Sequence, residues 1–247
     1  MKIVAQISLF LVLMIYSGNT KAQIEIGVFA DCQYCNCETA GDRFYRNSLA
    51  KLNDCVSEFN KNEDIEFVVG LGDLIDRDFD SFSKVKLILE KSKSKVFHVV
   101  GNHDFSVEDE QFKNVPTQLN LSDTYYTFTK NEWQFIFLNG NEITFQSKNQ
   151  EIIEQAEKLI DKLTAENKPN FHKWNGGMSE TQIGWLEKQL EKAEKKKLKV
   201  ALFCHYPLLP LEAHTLWNSE KILAILEKYN CVKLWMNGHN HAGNYFF

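Results

Sequence analysis

Short apolar runs, each closed by small or polar residues, alternate along this chain with stretches of helical period. Residues 24–30, Ile-Glu-Ile-Gly-Val-Phe-Ala, read as a strand that stops at Asp31. Phe44, Ser48, Leu49, Leu52, Cys55, Val56 and Phe59 then recur at helical spacing, which predicts an amphipathic helix with Phe44 on its core face. Residues 66–71 form the next predicted strand, closed by Gly72-Asp73, and a helix over 81–91 leads to a strand at 96–100 that ends in Gly101-Asn102-His103-Asp104. This is a β-α-β-α-β order with strands apolar on both faces, the pattern of a sheet covered by helices.

The middle of the chain changes character. Residues 123–129 and 133–138 are β-rich runs around Lys130-Asn131-Glu132, which predicts an antiparallel hairpin. Ile152, Ile153, Ala156, Leu159, Ile160 and Leu163 share one helical face, and a loop over 169–178 follows. Ser179 with Gln182 resembles a capping box opening a helix that carries Trp185, Leu186 and Leu190, whose charged stretch over 187–199 reads as a solvated face. A strand over 199–204 ends at His205. After a helix over 218–229, a last strand over 231–236 ends in Asn237-Gly238-His239-Asn240-His241. With no internal repeat or low-complexity linker, residues 23–247 are expected to form one α/β domain.

Composition narrows the functional classes. The chain has 247 residues, 44% of them hydrophobic and 25% charged, the balance of a globular protein. Its net charge is −5, and no run of Lys and Arg with interleaved aromatics offers the clustered positive charge that a nucleic-acid groove needs, so no nucleic-acid partner is expected. Lys2, an apolar run to Tyr16 and a polar stretch ending in Thr20-Lys21-Ala22 make the three-part pattern of a secretory signal peptide, residues 1–22. The run is short against the roughly 20 residues that span a bilayer, so export to a periplasmic or secreted location, with no stable membrane partner after cleavage, is expected. An uncleaved N-terminal membrane anchor is the alternative. The cysteines at 32, 35, 37, 55, 204 and 231 are expected as buried or loop thiols. Cys32-x-x-Cys35-x-Cys37 lacks the second pair that would make a zinc site.

The polar residues are informative by where they fall. Five predicted strands each end in a potential metal ligand: Asp31 with Gln33, Asp73, Asn102 with His103, His205, and His239 with His241. In α/β sheets the binding crevice lies outside the carboxyl ends of the strands. Carboxylate, amide oxygen and imidazole together suit divalent manganese, iron or zinc. Two adjacent ions need a shared ligand, and a carboxylate can bridge where imidazole cannot, which makes Asp73 the candidate bridge. Such a pair suits phosphoester hydrolysis. His103 could then give a proton to the leaving group or steady developing charge, with Asp104 orienting its imidazole.

The series Asp31-x-Gln33, Gly72-Asp73-x-x-Asp76, Gly101-Asn102-His103-Asp104, His205 and Gly238-His239-x-His241 resembles the calcineurin-like metallophosphoesterases, in order and spacing over nearly all of the chain beyond residue 22. The resemblance implies a four-layer α/β/β/α sandwich of two mixed sheets flanked by helices, with two metal ions at the sheet edge. One ion would take Asp31, Gln33, Asp73 and His241, and the other Asp73, Asn102, His205 and His239. Most of that superfamily has His where Gln33 stands, and an amide oxygen favours manganese. Gln33-Tyr34, Arg43-Phe44-Tyr45-Arg46-Asn47-Ser48-Leu49, Asn175-Gly176-Gly177-Met178-Ser179 and Leu216-Trp217-Asn218 are similar to the manganese-dependent ADP-ribose/CDP-alcohol diphosphatase branch. That likeness implies hydrolysis of a nucleoside diphosphate joined to a sugar or alcohol.

A diphosphate needs cations beyond the metals, and an Arg fork suits phosphate. Arg43 is the first candidate and Arg46 the second, each with a surface carboxylate as the alternative partner. Trp174 and Trp217 are candidates to stack on a base or to pack in the core or at the rim, and Asn175 to reach a phosphate or fill a turn. Competing functions are a broader cyclic-nucleotide phosphodiesterase, a phosphomonoesterase, or a scaffold without turnover. Family members continue past Gly-His-x-His with further strands, whereas this chain stops at Phe247. Truncation, or a sheet edge left uncovered, is therefore expected.

Overall fold

A computed structural model of the protein describes residues 24–246, so the expected signal peptide lies outside them. Its first half runs β1 (Glu25–Phe29), α1 (Ser48–Phe59), β2 (Ile65–Gly70), α2 (Ser81–Leu89) and β3 (Val96–His98). The three strands pair in the order β1-β2-β3, all parallel, with β2 in the centre. Two short helices, α3 (Asp109–Phe112) and α4 (Val115–Gln118), lead to the hairpin β4 (Tyr126–Lys130) and β5 (Trp133–Phe137). Then follow α5 (Gln150–Ala165), α6 (Glu180–Lys195), β6 (Lys199–Phe203), α7 (Ser219–Leu226) and β7 (Val232–Met236). The second sheet is mixed, in the order β4-β5-β6-β7, antiparallel only between β4 and β5.

Period-two alternation decides what each strand buries. Phe135 and Phe137 on β5, and Ala201 and Phe203 on β6, point toward Phe67 and Val69 on β2, so the two sheets share a layer of aromatic and aliphatic side chains. Phe67 meets Phe135 edge to face at 4.9 Å, and Phe137 stacks on Phe203 at 4.8 Å. The intervening residues Ile136, Val200 and Leu202 face the other way, onto Leu186 and Leu190 of α6 and Ile222 of α7. On the far side of the first sheet, Leu52 and Val56 of α1 pack with Phe82 and Val85 of α2 around Ile75. These four layers match the expected sandwich, but of the two sheets expected to be mixed only the second is, the first being parallel throughout.

Local sequence explains where α6 begins. The Ser179 hydroxyl accepts from the Gln182 backbone N–H at 3.2 Å, half of the expected capping box. The other half is missing because the buried Gln182 side chain exchanges two hydrogen bonds of 2.8 Å with the backbone of Asn139, tying the helix to the loop after β5.

Three expectations are corrected. Phe44 is 54% exposed and precedes the helix, because residues 45–47 form a 3-10 turn that buries Tyr45 instead. Cys35 and Cys37 are joined in a disulfide, leaving Cys32, Cys55, Cys204 and Cys231 as thiols. His98, expected from its place inside a strand as a hydrogen-bonded structural imidazole, is buried with its Nδ1 lacking a hydrogen-bond partner. Among the described residues, β7 is an edge of the second sheet, with Lys233 exposed on it, and no helix is long and apolar enough to cross a membrane.

Candidate active site

All five predicted ligand blocks follow the carboxyl ends of strands, and the parallel pairing within each sheet brings those ends to one edge. The chain turns sharply there. Asp31, Gln33, Asp73 and His239 have φ of 51°, 47°, 54° and 67°, a left-handed conformation that costs about 1–3 kcal/mol per non-glycine residue and that gathers at functional sites. Backbone bonds from Asp31 to Gly72 and from Gln33 to Asp73 zip the first two loops together. Glycine is required at 101, since a Cβ there would stand 2.1 Å from Asp73 Oδ1. The Asp73 turn can therefore lie directly against the Asn102 loop.

The inner half of the site is a buried nest of acceptors. His205 Nδ1 donates to the Leu71 carbonyl at 2.8 Å, which leaves its Nε2 as a lone pair. The Asn175 amide nitrogen donates to the carbonyls of Asn170 and Ala213, so its oxygen must accept the proton of His239 Nε2 at 2.9 Å. That leaves His239 Nδ1 as a lone pair as well. The two free nitrogens face each other at 3.1 Å, with Asn102 Oδ1 at 3.1 Å and Asp73 Oδ2 at 3.3 Å from His205 Nε2. Four buried acceptors thus converge on a place that demands positive charge. Burial opposes charging of His205, yet Asp73 outweighs it and pushes the pKa up to about 9, so without an ion a proton on Nε2 supplies that positive charge, whereas burial and the charge on His205 hold His239 well below its ordinary value. Nitrogen, amide oxygen and carboxylate donors converging on one place fit a divalent ion in that proton's stead. Asp73, His205 and His239 are the group of potential ligands found among the described residues.

The outer half is more open. Asp73 Oδ1 accepts the His103 backbone N–H at 2.8 Å, while Oδ2 faces both His205 and, at 3.1 Å, the Gln33 amide. One carboxylate oxygen therefore looks into both halves, as a bridge must. The Gln33 amide lies 3.3 Å from His241 Nε2, which is 3.7 Å from Asp31 Oδ1. A half-turn of that amide exchanges its nitrogen for its oxygen at this place. The side chain of His241 is 42% exposed and that of Asp31 15%, against 0% and 1% for His205 and Asp73. The structure thus brings all seven predicted ligands together, one set sealed and one reachable by solvent.

His103 stands beside this pair, and its expected partner is corrected. Asp104 accepts from the backbone N–H groups of Gly101, Asp73, Leu74 and Ile75, so it braces the Asp73 turn and makes no bond to the imidazole. Burial and the charge on Asp73 raise its pKa. Asp76 orients His103 instead, its Oδ1 lying 2.9 Å from His103 Nδ1. Burial works against the Asp76 carboxylate, but the bonds to His103 and Arg77 pull it down to about 2. Burial likewise opposes charging of His103, and Asp76 with Asp73 overcomes it to raise that pKa. Nε2 is then the ring nitrogen left for the cavity.

A cavity of about 570 Å³ opens over these groups, with Arg43 and Trp174 on its walls. Trp174 is 46% exposed and lies flat on His172, ring centroids 4.1 Å apart at 7°. Three expected substrate contacts are elsewhere. Arg46 is tied to Asn36 and Glu38 on the surface, taking the alternative of a carboxylate partner. Asn175 is fully buried and serves His239, and Trp217 is 3% exposed, its indole donating to the His172 carbonyl. His214, Asn240 and Asp42 also line the cavity without having been predicted. For Asp76 the signal was present in Gly72-Asp73-x-x-Asp76; for the other three no motif marked them.

The calcineurin-like phosphoesterase family model matches residues 24–243. The manganese-dependent ADP-ribose/CDP-alcohol diphosphatase of Arabidopsis thaliana is 30% identical over 89% of this chain and 80% of its own length. The protein of the same name from Homo sapiens is 25% identical, over 93% of this chain and 80% of its own. Among solved structures, a dimetal phosphatase from Danio rerio superposes with a TM-score of 0.78 at 25% identity, covering 89% of this chain and 82% of that one.

Proposed function

The chain belongs to the calcineurin-like phosphoesterase family, and from that premise we propose that it is a manganese-dependent hydrolase of nucleoside diphosphate derivatives of the ADP-ribose or CDP-alcohol type. The observation that carries the reading is the buried nest of Asp73, Asn102, His205 and His239, whose oxygen and nitrogen atoms converge on one place. Asp31, Gln33 and His241 complete a second set around the shared Asp73 oxygen. When bound, two divalent ions supply the Lewis acidity that neutralises phosphoryl charge and lowers the pKa of water.

The side chains divide the remaining work. Arg43 forks onto the phosphate that extends from the metal pair into the cavity, and Trp174 offers its exposed face to the nucleobase. Water adds to one phosphorus, the bond from that phosphorus to the bridging oxygen breaks, and His103 Nε2 passes its proton to the departing oxygen. Asp76 keeps the ring turned for that transfer. One diphosphate and one water thereby give a nucleoside monophosphate and a second phosphate ester.

The test is metal analysis coupled to turnover of ADP-ribose, CDP-choline and cyclic AMP by the manganese-loaded chain. Preference for the two diphosphates is expected; equal or faster turnover of cyclic AMP would replace the reading by a broader phosphodiesterase. Activity on none of a wide phosphoester panel would leave a scaffold. Export belongs to the same proposal and rests on the pattern of residues 1–22 alone. N-terminal sequencing of protein recovered outside the cytoplasm should begin at Gln23, and an intact Met1 would support the anchor.

A further inference from the structure

His103 owes its setting to Asp76, and Asp76 is held in turn by groups that the reaction above does not use. While Oδ1 meets the imidazole, Oδ2 accepts from Arg77 Nη2 at 3.0 Å. With both oxygens engaged, the carboxylate cannot rotate without giving up a partner. Arg77 has a left-handed backbone, φ 53°. Its guanidinium carbon lies 5.3 Å from the Tyr45 ring centroid, and the same Nη2 donates to the Tyr45 hydroxyl at 3.1 Å.

The burial of the two residues is unequal. The Arg77 side chain is 56% exposed, whereas Tyr45 is 3% exposed. A long, half-exposed cation is a poor clamp by itself because its rotamer freedom must be lost for every bond it holds. A buried phenol that offers both a hydrogen bond and a ring face supplies the fixed point. Tyr45 opens the 3-10 turn Tyr45–Asn47, two residues beyond Arg43, which lines the cavity. The chain 43–45 therefore presents a guanidinium to the cavity and anchors the support of its imidazole with one short stretch.

We propose that Tyr45 and Arg77 are positioning residues for the hydrolysis: they lock Asp76, and through it His103, to the segment that carries Arg43. This rests on the hydrolase reading given above. Its consequence is that the phosphate-binding cation and the proton donor keep a fixed relation, so docking of residues 43–47 sets both.

Tyr45→Phe keeps the buried ring and removes only the hydroxyl, and Arg77→Gln removes the guanidinium from the surface side. In the full-length, manganese-loaded enzyme each is expected to lower kcat on ADP-ribose about tenfold while KM and bound metal stay within about twofold. Repeated in a His103→Gln background, the same substitutions should change the residual kcat by less than about twofold, since the group being positioned is gone. Losses of equal size in both backgrounds would show a merely structural role and overturn the proposal, as would no loss in either. The unmutated enzyme reports separately on the underlying reading: if it hydrolyses no member of the phosphoester panel, the hydrolase assignment falls before any variant is compared.

Discussion

Two ring nitrogens turned toward each other at 3.1 Å are an arrangement that only surrounding residues can enforce, and at His239 the enforcing residue is Asn175. Asn175→Ala leaves the His239 tautomer unfixed and should weaken metal binding about 10–100-fold, read by titration of manganese into the apo protein. The dyad makes a different prediction. His103→Gln should lower kcat by about 10²–10⁴ with metal content intact, and Asp76→Asn should follow in the same direction by a smaller factor. Loss of metal in either would make these groups props of the site. Arg43→Ala should raise KM for a diphosphate, whereas Arg46→Ala should leave steady-state kinetics within about twofold, because its guanidinium is tied to Glu38 and Asn36 outside the cavity. The seven predicted ligands were legible because each is a polar residue at, or a few positions beyond, the abrupt end of an apolar run. The pairings of the helpers were not, even for Asp76, which stands in a motif. Asp76 reaches His103 only through the left-handed turn at Asp73, and Asn175 reaches His239 only when two loops far apart in sequence meet.

Elements set by local pattern emerged nearly where alternation put them. The hairpin is the clearest case: Lys130 pairs with Trp133 across Asn131-Glu132, with Asn131 taking the positive φ that a tight turn needs. Phe44 escaped because helical spacing extrapolates backward past a helix start, and the 3-10 turn rotates Tyr45 rather than Phe44 into the core. The short strand β3 carries a consequence for pH. His98 is buried beside Gly70 with Nδ1 unpaired, and burial holds its pKa down at about 4, below the ordinary 6.5. A folded-state pKa below the unfolded one means that the unfolded chain binds the proton first. Stability is therefore intact above pH 6.5 and falls as pH drops from 6.5 toward 4. Between pH 7 and pH 5 the wild type should lose about 2 kcal/mol more than His98→Leu in denaturant unfolding. Parallel profiles for the two proteins would show that His98 does not govern this limb.

At the scale of the molecule, each sheet alone is a local affair of neighbouring strands, while the relation between the sheets is carried by contacts remote in sequence. Patterning could show that β2, β5 and β6 are apolar on both faces, but not that Phe67 would meet Phe135 or that Leu71 would accept from His205. The candidate metal ligands follow the same division. Asp73 and Asn102 follow strands of the first sheet, and His205 and His239 follow strands of the second. An ion held by all four is a cross-link between the two sheets at the edge of their shared layer. Binding only to the folded state, it stabilises by about 2.7 kcal/mol at a free concentration 100-fold above Kd. For a domain of this size that corresponds to a rise in Tm of roughly 5–10 °C. Manganese should therefore raise Tm and excess chelator lower it by that order, and the shift should vanish in Asp73→Ala, which removes the oxygen that both halves of the site share. Because His241 is the exposed ligand of the outer half, His241→Ala should retain most of the shift while abolishing turnover. If His241→Ala lost the whole shift, the outer half rather than the buried nest would be the cross-link, and the division into a sealed and an open site would be wrong.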